Sequence, residues 1–498
     1  MNVPAGPPPP VVRDRAVGVV VAAAAADALG APHEFGPPLP EGYELRMTGG
    51  GPFGWEPGEW TDDTQTALAV LHAAASDERE PVDAIAGSLV AWYRSRPRDV
   101  GGQTRAVLAP VTGDPTARAL IETAARWQAA NGERAGNGSL MRTGPVAALL
   151  APRSLRSIAA IAAQVSELTH PHPDAVDACV LWSAAIWRAM WTPPGAALDW
   201  VDLVVEGIDT LPEPRRRPWH ARLERCRTEP PEAFEPNGWV VAALQAALAA
   251  ISQSEPDPGA PACTHLRRAI ERAVRAGGDT DTVATIAGAL AGARWGATAV
   301  PASWRRPLHG RFIYGHPALG PADLDRLARL AFDQGRVDRD GWPTAATMLP
   351  AYRKDWTAPA QAVELVDGLV IGNVHALPEV LADVDAVVSL CRMGREDVPP
   401  SVEHHVIGLL DTSLDENPNV DFVLADTADL LDVIIGERKR VFLHCVQAQN
   451  RTPAVAAAYL VRHHGHDPDA AVDRVRQVLG TRPRSFLLEG VRSLSGPG

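Results

Sequence analysis

The hydrophobic period of this chain changes once, and the change constrains its fold more than any other feature. From residue 61 to about 335, apolar residues recur at intervals of three and four. Segments 83–93, 174–190, 240–251 and 281–297 show it most clearly, and alternating runs are scarce. After 363 the pattern becomes short strands and helices in succession: strands at 363–365, 369–371, 386–390, 405–410 and 440–444, and helices at 420–435 and 453–463. These periods predict an all-α domain followed by an α/β domain of roughly 130 residues. All 14 tryptophans fall between Trp55 and Trp356, so composition shifts at the same place. The predicted boundaries are a disordered or polyproline tail at 1–12, a helical domain at 13–335, a polar, Pro-containing linker or docking segment at 336–362, and the α/β domain at 363–498. At 498 residues the chain exceeds what one hydrophobic core usually holds.

The net charge of −13 argues against nonspecific nucleic-acid binding, which needs a basic surface, but leaves room for a small phosphorylated ligand. The five cysteines, Cys179, Cys226, Cys263, Cys391 and Cys445, are scattered without CxxC spacing. Neither a zinc site nor a disulfide framework is expected, and a reducing compartment fits best. No apolar run reaches the roughly 18 residues of a spanning helix. The run at 19–29 is short and broken by Asp27, so neither a membrane nor a signal peptide is expected, and the cytoplasm is the default.

Two acidic stretches recur at predicted helix starts. Gly277-Gly278-Asp279-Thr280-Asp281-Thr282 precedes one apolar run, and Glu59-Trp60-Thr61-Asp62-Asp63-Thr64 precedes another. Thr and Asp are ordinary helix caps, and carboxylates suit the positive end of a helix. Here their number exceeds what capping needs, and it does so twice. Such hard oxygen ligands, brought together, would hold Mg²⁺ or a similar cation. The two glycines let the backbone come close to a ligand.

Other stretches are more ordinary when taken alone. Asp27 ends an apolar helix expected over about 15–28 and reads as a capping or buried hydrogen-bonding residue. Glu34 sits in a Pro/Gly-rich loop. Asn137-Gly138-Ser139-Leu140-Met141-Arg142 reads as a turn with a cap, or as a pocket lining. His170 and His172 precede a helix, where histidines are usually surface or capping residues. Arg215-Arg216-Arg217 lies between prolines and reads as a solvated turn.

His444-Cys445-Val446-Gln447-Ala448-Gln449-Asn450-Arg451-Thr452 joins the last predicted strand to the last predicted helix. A loop in that position aims successive N–H groups at an anion, with the helix dipole behind them. The same field favours a Cys445 thiolate, Arg451 can grip two phosphate oxygens, and Thr452 can donate to the sulfur. A general acid is still needed. Asp411, at the end of the 405–410 strand, is the first candidate and Asp415 the second.

With these motifs in hand, residues 13–335 resemble the ADP-ribosylglycohydrolases, the group of the dinitrogenase reductase-activating glycohydrolase. The resemblance rests on Asp27-Ala28-Leu29-Gly30 with Glu34, on Gly58 to Thr64, Asn137 to Arg142, Leu168-Thr169-His170, and Gly277 to Thr282. One departure is Ala26, where the family usually has Gly. The resemblance implies an all-α fold, two Mg²⁺ ions held by Thr61, Asp62, Asp63, Asp279, Asp281 and Thr282, and hydrolysis at the anomeric carbon of ADP-ribose. It also implies catalytic roles for Asp62 and Asp279, and substrate contacts from Glu34, Asn137, Gly138, Ser139, His170, Gly277 and Gly278. Residues 363–495 resemble dual-specificity, tyrosine-phosphatase-like phosphatases through Val366 to Gly372, the His444–Thr452 loop and Asp411. That family implies an α/β cysteine-phosphatase fold, a phosphocysteine at Cys445, Asp411 as acid, and phosphate held by Val446, Gln447, Ala448, Gln449, Asn450, Arg451 and Thr452. The family has Gly at the position of Ala448. A left-handed backbone there would cost alanine roughly 1–2 kcal/mol.

Three functions follow. The first is a bifunctional hydrolase that acts on an ADP-ribosylated protein or small molecule and on a phosphorylated substrate. In the second, the α/β domain only binds phosphorylated partners. The third is a non-catalytic protein, which the intact acidic pairs disfavour.

Overall fold

The computed structural model describes residues 8–40, 42–76, 81–113, 115–150 and 154–494. It comprises two units, Met1–Val300 with Pro307–Arg336, and Pro301–Arg306 with Val337–Gly498. In the first, every regular element among the described residues is helical, with only isolated bridges of β type. The expected helices at 83–93, 174–190, 240–251 and 281–297 are Pro81–Arg94, Pro173–Trp191, Val240–Ser252 and Thr280–Trp295.

Small residues set the geometry of this unit. The Pro10–Gly30 helix and the Thr280–Trp295 helix run antiparallel with their backbones in contact. A Cβ on Gly292 would stand 2.1 Å from the Gly18 carbonyl oxygen, and one on Gly288 2.7 Å from that of Ala22. At the other end a Cβ on Gly30 would stand 2.5 Å from the Asp281 Cα. The Cβ of Ala26 lies against Gly288, so the missing side chain on the facing helix makes room for the alanine at 26. The close approach explains why both helices are built from Ala, Gly and Val. It also puts the end of one, with Asp27, beside the start of the other, with Asp281. The Pro10–Gly30 helix is apolar enough, by length and composition, to cross a bilayer, but it is buried on nearly every side within this unit.

Two expectations for this unit need correction. Residues 10–12, assigned to a disordered tail, open the first helix, with Pro at its first position, where no N–H is needed. Residues 1–7 lie outside the described residues. Arg215–Arg217 is no solvated turn. It belongs to the Glu213–Arg225 helix, and Arg215 Nε donates to Asp177 at 2.6 Å while its other end pairs with Asp174.

The second unit is an α/β structure around one five-stranded sheet. Its strands are β1 (Ala362–Val366), β2 (Leu369–Asn373), β3 (Ala386–Ser389), β4 (Glu403–Val406) and β5 (Val441–Cys445), in the order β1-β2-β5-β3-β4. Only β1 is antiparallel to its neighbour. Alternation splits β5 between the two faces. Val441, Leu443 and Cys445 join one core with the Val420–Gly436 and Arg451–His464 helices. Phe442 joins the other.

That second core corrects the linker assigned to 336–362. Met348 and Tyr352 pack in it against Val370, Val387 and Phe442. The Met348 N–H donates to Asp397 at 2.9 Å, and the Tyr352 hydroxyl to the Arg392 carbonyl at 2.7 Å. Residues 301–306 also belong to this unit although they precede 335. The Ala302 N–H donates to Asp426, and Arg306 bridges Glu403 and Glu437. Strand β4 starts and ends earlier than the predicted 405–410: it pairs with β3 over Glu403–Val406, and 407–410 form no ladder.

Candidate functional site

The two acidic stretches meet. Thr61 caps the Asp62–Ala75 helix, its hydroxyl accepting from the Asp63 N–H at 3.3 Å. Across the unit, the Thr282 hydroxyl donates to Asp63 Oδ2 at 3.3 Å. Glu34, Asp279 and Asp281 offer carboxylate oxygens within 4.8 Å of one another. Thus Glu34, expected as a substrate contact, sits where it can share a cation with the two aspartates of the second stretch.

Burial makes this gathering costly for the chain alone. Asp62, Asp63 and Asp281 are all held well above the usual carboxylate range, first by desolvation and then by each other and their acidic neighbours. Desolvation, with the charge of Asp279 next, pushes Glu34 up to about 8. Asp63 Oδ1 and Glu34 Oε2 are buried with no hydrogen-bond partner. No Lys or Arg among the described residues forms an ion pair with this group. Buried, unpartnered hard oxygens without a counter-charge are the donor set a divalent cation completes.

Asp27 sits beneath the cluster. Its carboxylate accepts from the N–H groups of Thr61 and Thr64 and, at 2.6 Å, from the Thr64 hydroxyl. It is the buried hydrogen-bonding residue expected from the sequence. It holds the Asp62 helix start in place from the end of the first helix. Burial pushes it up to about 6 despite these donors.

The glycine pair acts on the backbone. Gly277 and Gly278 have φ of +79° and +69°, the left-handed region glycine tolerates. The Phe35 N–H donates to the Gly278 carbonyl at 2.7 Å, and the Gly278 N–H to that of Gly36 at 2.8 Å. This pins the Glu34 loop to the Asp279 turn. Asn137 donates to Asp279 Oδ2 at 2.7 Å and so belongs to the site.

Ser139 and His170 do not face it. The Ser139 hydroxyl is buried, accepting from Ser166 at 3.0 Å. His170 is also buried, its Nδ1 2.7 Å from the Thr169 hydroxyl, and burial keeps it well below its ordinary range. It packs under Gly138, where a Cβ would come within 3.1 Å of the ring. Both support the Asn137 loop from below. Gly138 lies directly above that ring.

Two members of the site carry no motif. Asp99 shares a hydrogen bond with Asp62 and is pushed up to about 6, mainly by desolvation. Asn237 accepts from the Asp279 N–H and donates to the Gly277 carbonyl, both at 2.9 Å. The sequence signal for Asp99 was a carboxylate two residues from Gly101-Gly102. For Asn237 it was the Pro-Asn-Gly turn.

In the second unit, Cys445 ends β5 and is buried. The loop after it leaves the N–H groups of Gln447, Ala448, Gln449 and Asn450 with no acceptor among the described residues. Arg451 Nη1 donates to the Leu390 carbonyl at 2.5 Å, which fixes the guanidinium, while its buried Nε has no partner. Ala448 adopts φ of +53°, its carbonyl held by the Thr481 hydroxyl at 2.6 Å. Asp411 accepts from the Asn450 side chain, so it reaches this loop. Asp415 is exposed. Val446 is buried beside Cys445. The Thr452 hydroxyl, expected at the sulfur, donates instead to the Gly372 carbonyl at 3.3 Å.

The family model described as ADP-ribosylglycohydrolase matches residues 8–341. The ADP-ribosylarginine hydrolase Tri1 of Pseudomonas putida (strain GB-1) is 32% identical over 297 residues, 58% of this chain and 73% of that protein. The ADP-ribosylhydrolase ARH3 of Homo sapiens is 28% identical over 275 residues, 50% of this chain and 75% of that protein. Among solved structures, human DUSP28 covers 27% of this chain and 93% of its own at 20% identity, with a TM-score of 0.24, which assigns no fold to the second unit. The acidic site and the matched span together place this chain in the ADP-ribosylglycohydrolase family.

Proposed function

We propose that the first unit is a divalent-cation-dependent hydrolase that cleaves ADP-ribose from arginine side chains. The observation that carries this reading is the convergence of Glu34, Asp62, Asp63, Asp99, Asp279 and Asp281 without a basic side chain paired to them. Asp62, Asp63, Asp279 and Asp281, with the hydroxyls of Thr61 and Thr282, would hold two Mg²⁺ ions, and Glu34 is near enough to join them. Such ions neutralise the carboxylates, orient the ribose hydroxyls and acidify a water. The chain does the rest. Asp27 and Asn137 hold the two ligand-bearing turns, and the Gly278 pairing holds Glu34. Asp99 lies beside Asp62, so once cations ionise Asp62 a carboxylate is at hand to take the proton of the attacking water. The relative named for ADP-ribosylarginine supports the arginine linkage. The test is release of ADP-ribose from arginine-linked and serine-linked proteins, with Mg²⁺ or chelator. Equal release by Asp62→Ala, or preference for the serine linkage, removes the reading.

A second activity is favoured by the unpartnered N–H groups of 447–450 and the free Arg451 Nε. Together they would form a cradle for a phosphoryl dianion at Cys445. The sulfur attacks phosphorus, the P–O bond to the leaving group breaks, and Asp411 gives its proton to the departing oxygen. Water then displaces phosphate from the sulfur. Turnover of para-nitrophenyl phosphate that vanishes in Cys445→Ser supports phosphomonoester hydrolysis. Phosphate binding without turnover leaves the unit as a reader of phosphorylated partners.

A further inference from the structure

A second polar opening lies in the C-terminal unit. His375 follows β2 by two residues and is only 8% exposed, yet its Nε2 has no hydrogen-bond partner. It borders a shallow, open pocket of about 350 Å³ otherwise lined by Arg353, Thr357, Ala358 and Pro359. One wall is fixed by Asn373, whose side-chain amide donates to the Pro359 carbonyl at 2.9 Å and whose oxygen accepts from the Gln361 N–H at 3.3 Å. Below it, Tyr352, the neighbour of Arg353, is anchored in the core.

The lining has a definite chemistry. It offers one guanidinium, one imidazole nitrogen without a partner and one hydroxyl, with no carboxylate among them. Arg353 has no ion pair among the described residues, so its charge is not spent on an internal partner. A buried imidazole nitrogen left without a partner is costly unless a ligand or water completes it. Guanidinium, imidazole and hydroxyl groups around a space of this size suit a tetrahedral oxyanion on a small organic fragment, with Ala358 and Pro359 against the fragment. The placement agrees. Strands β2 and β5 are parallel, and Asn373 stands opposite Cys445. His375 and the Cys445 loop therefore leave the sheet at its carboxyl edge, where ligands of parallel sheets bind.

We propose that Arg353, Thr357 and His375 form a phosphoryl-binding site in the C-terminal unit, separate from the Cys445 loop and selective for small phosphate esters. This goes beyond the phosphatase reading and stands whether or not Cys445 turns substrate over. The experiment uses the full chain with Arg451→Ala, which removes the only side-chain cation from the loop's anion cradle. Phenyl phosphate and inorganic phosphate are titrated by calorimetry. Phenyl phosphate should saturate one site in the millimolar range or tighter. Arg353→Ala should weaken it about tenfold, or about 1.4 kcal/mol, and Arg353→Lys should recover part of the loss. Because Arg353 is exposed, its substitution should leave the melting temperature unchanged. His375→Gln, which keeps a donor, should bind more tightly than His375→Phe at equal folded fraction. Tighter binding of phenyl phosphate than of inorganic phosphate assigns the site to esters; the reverse order assigns it to the free ion and overturns the ester claim. Identical titrations of the Arg451→Ala and Arg451→Ala/Arg353→Ala proteins, or no saturation by either probe, would overturn the site.

Discussion

The acidic site of the first unit and the Cys445 loop of the second both sit at helix starts, but with opposite charge. In the first, helix starts and a glycine turn carry carboxylates, and desolvation pushes Asp62, Asp63 and Asp281 far up. In the second, a helix start carries bare N–H groups and a single arginine whose Nη1 is tied to the backbone. The first arrangement sets like charges against one another, which on the proposed reading cations would relieve. The second gathers donors with no cation needed, and on the proposed reading it would attract an anion directly. Backbone donors are supplied by any sequence that can make the turn, whereas clustered carboxylates must be specified one by one.

Substitutions can break this contrast, beginning with the strongest. Asp62→Ala or Asp279→Ala should lower ADP-ribose release by on the order of 10³-fold, the scale of losing a group that stabilises transition-state charge, while para-nitrophenyl phosphate turnover stays unchanged. Cys445→Ser should give the converse. If either substitution affects both activities equally, the two sites are not independent. Asp27→Asn should come next. It leaves donors facing the Thr61 and Thr64 N–H groups, so about 1–3 kcal/mol of stability should be lost in chemical denaturation.

The pH response sharpens the same contrast. Folded Glu34 keeps its proton up to about 8, and Asp27 and Asp99 to about 6, while unfolded carboxylates lose theirs near 4. The folded chain then binds more protons, so in chelator its stability should fall as pH rises from about 4 to about 8. Added Mg²⁺ should flatten that decline. Melting temperatures that rise with pH over this window in chelator would contradict the buried-carboxylate account. The smallest effect is expected at Ala448, with φ of +53°. Ala448→Gly should stabilise the second unit by about 1 kcal/mol, seen as a later thermal transition with the first unit unmoved.

Much of this was readable because it is local. Hydrophobic period located the helices, and the acidic stretches announced themselves by repetition. What escaped has meaning only in three dimensions. Asp99 and Asn237 are single polar residues in loops, and nothing near them in sequence says that one meets Asp62 and the other Asp279. The family resemblance implies substrate contacts from Ser139 and His170, yet the Ser139 hydroxyl is buried against Ser166, and His170, from a separate loop, packs under Gly138. Residues 336–362 look polar because their two core anchors, Met348 and Tyr352, are diluted by exposed neighbours. The β4 register was misplaced because apolar residues continue past the last paired one.

The contact of Gly18 with Gly292 has a mechanical consequence. Gly292 lies 11 positions from Asp281, about 16 Å along the helix axis at 1.5 Å per residue, and touches nothing reactive. Yet the two rods are clamped there with no cushion between them, so one added methyl must tilt them like the arms of a caliper. The jaws of that caliper are Asp27 and Asp281, and their gap would change without any alteration at the jaws themselves.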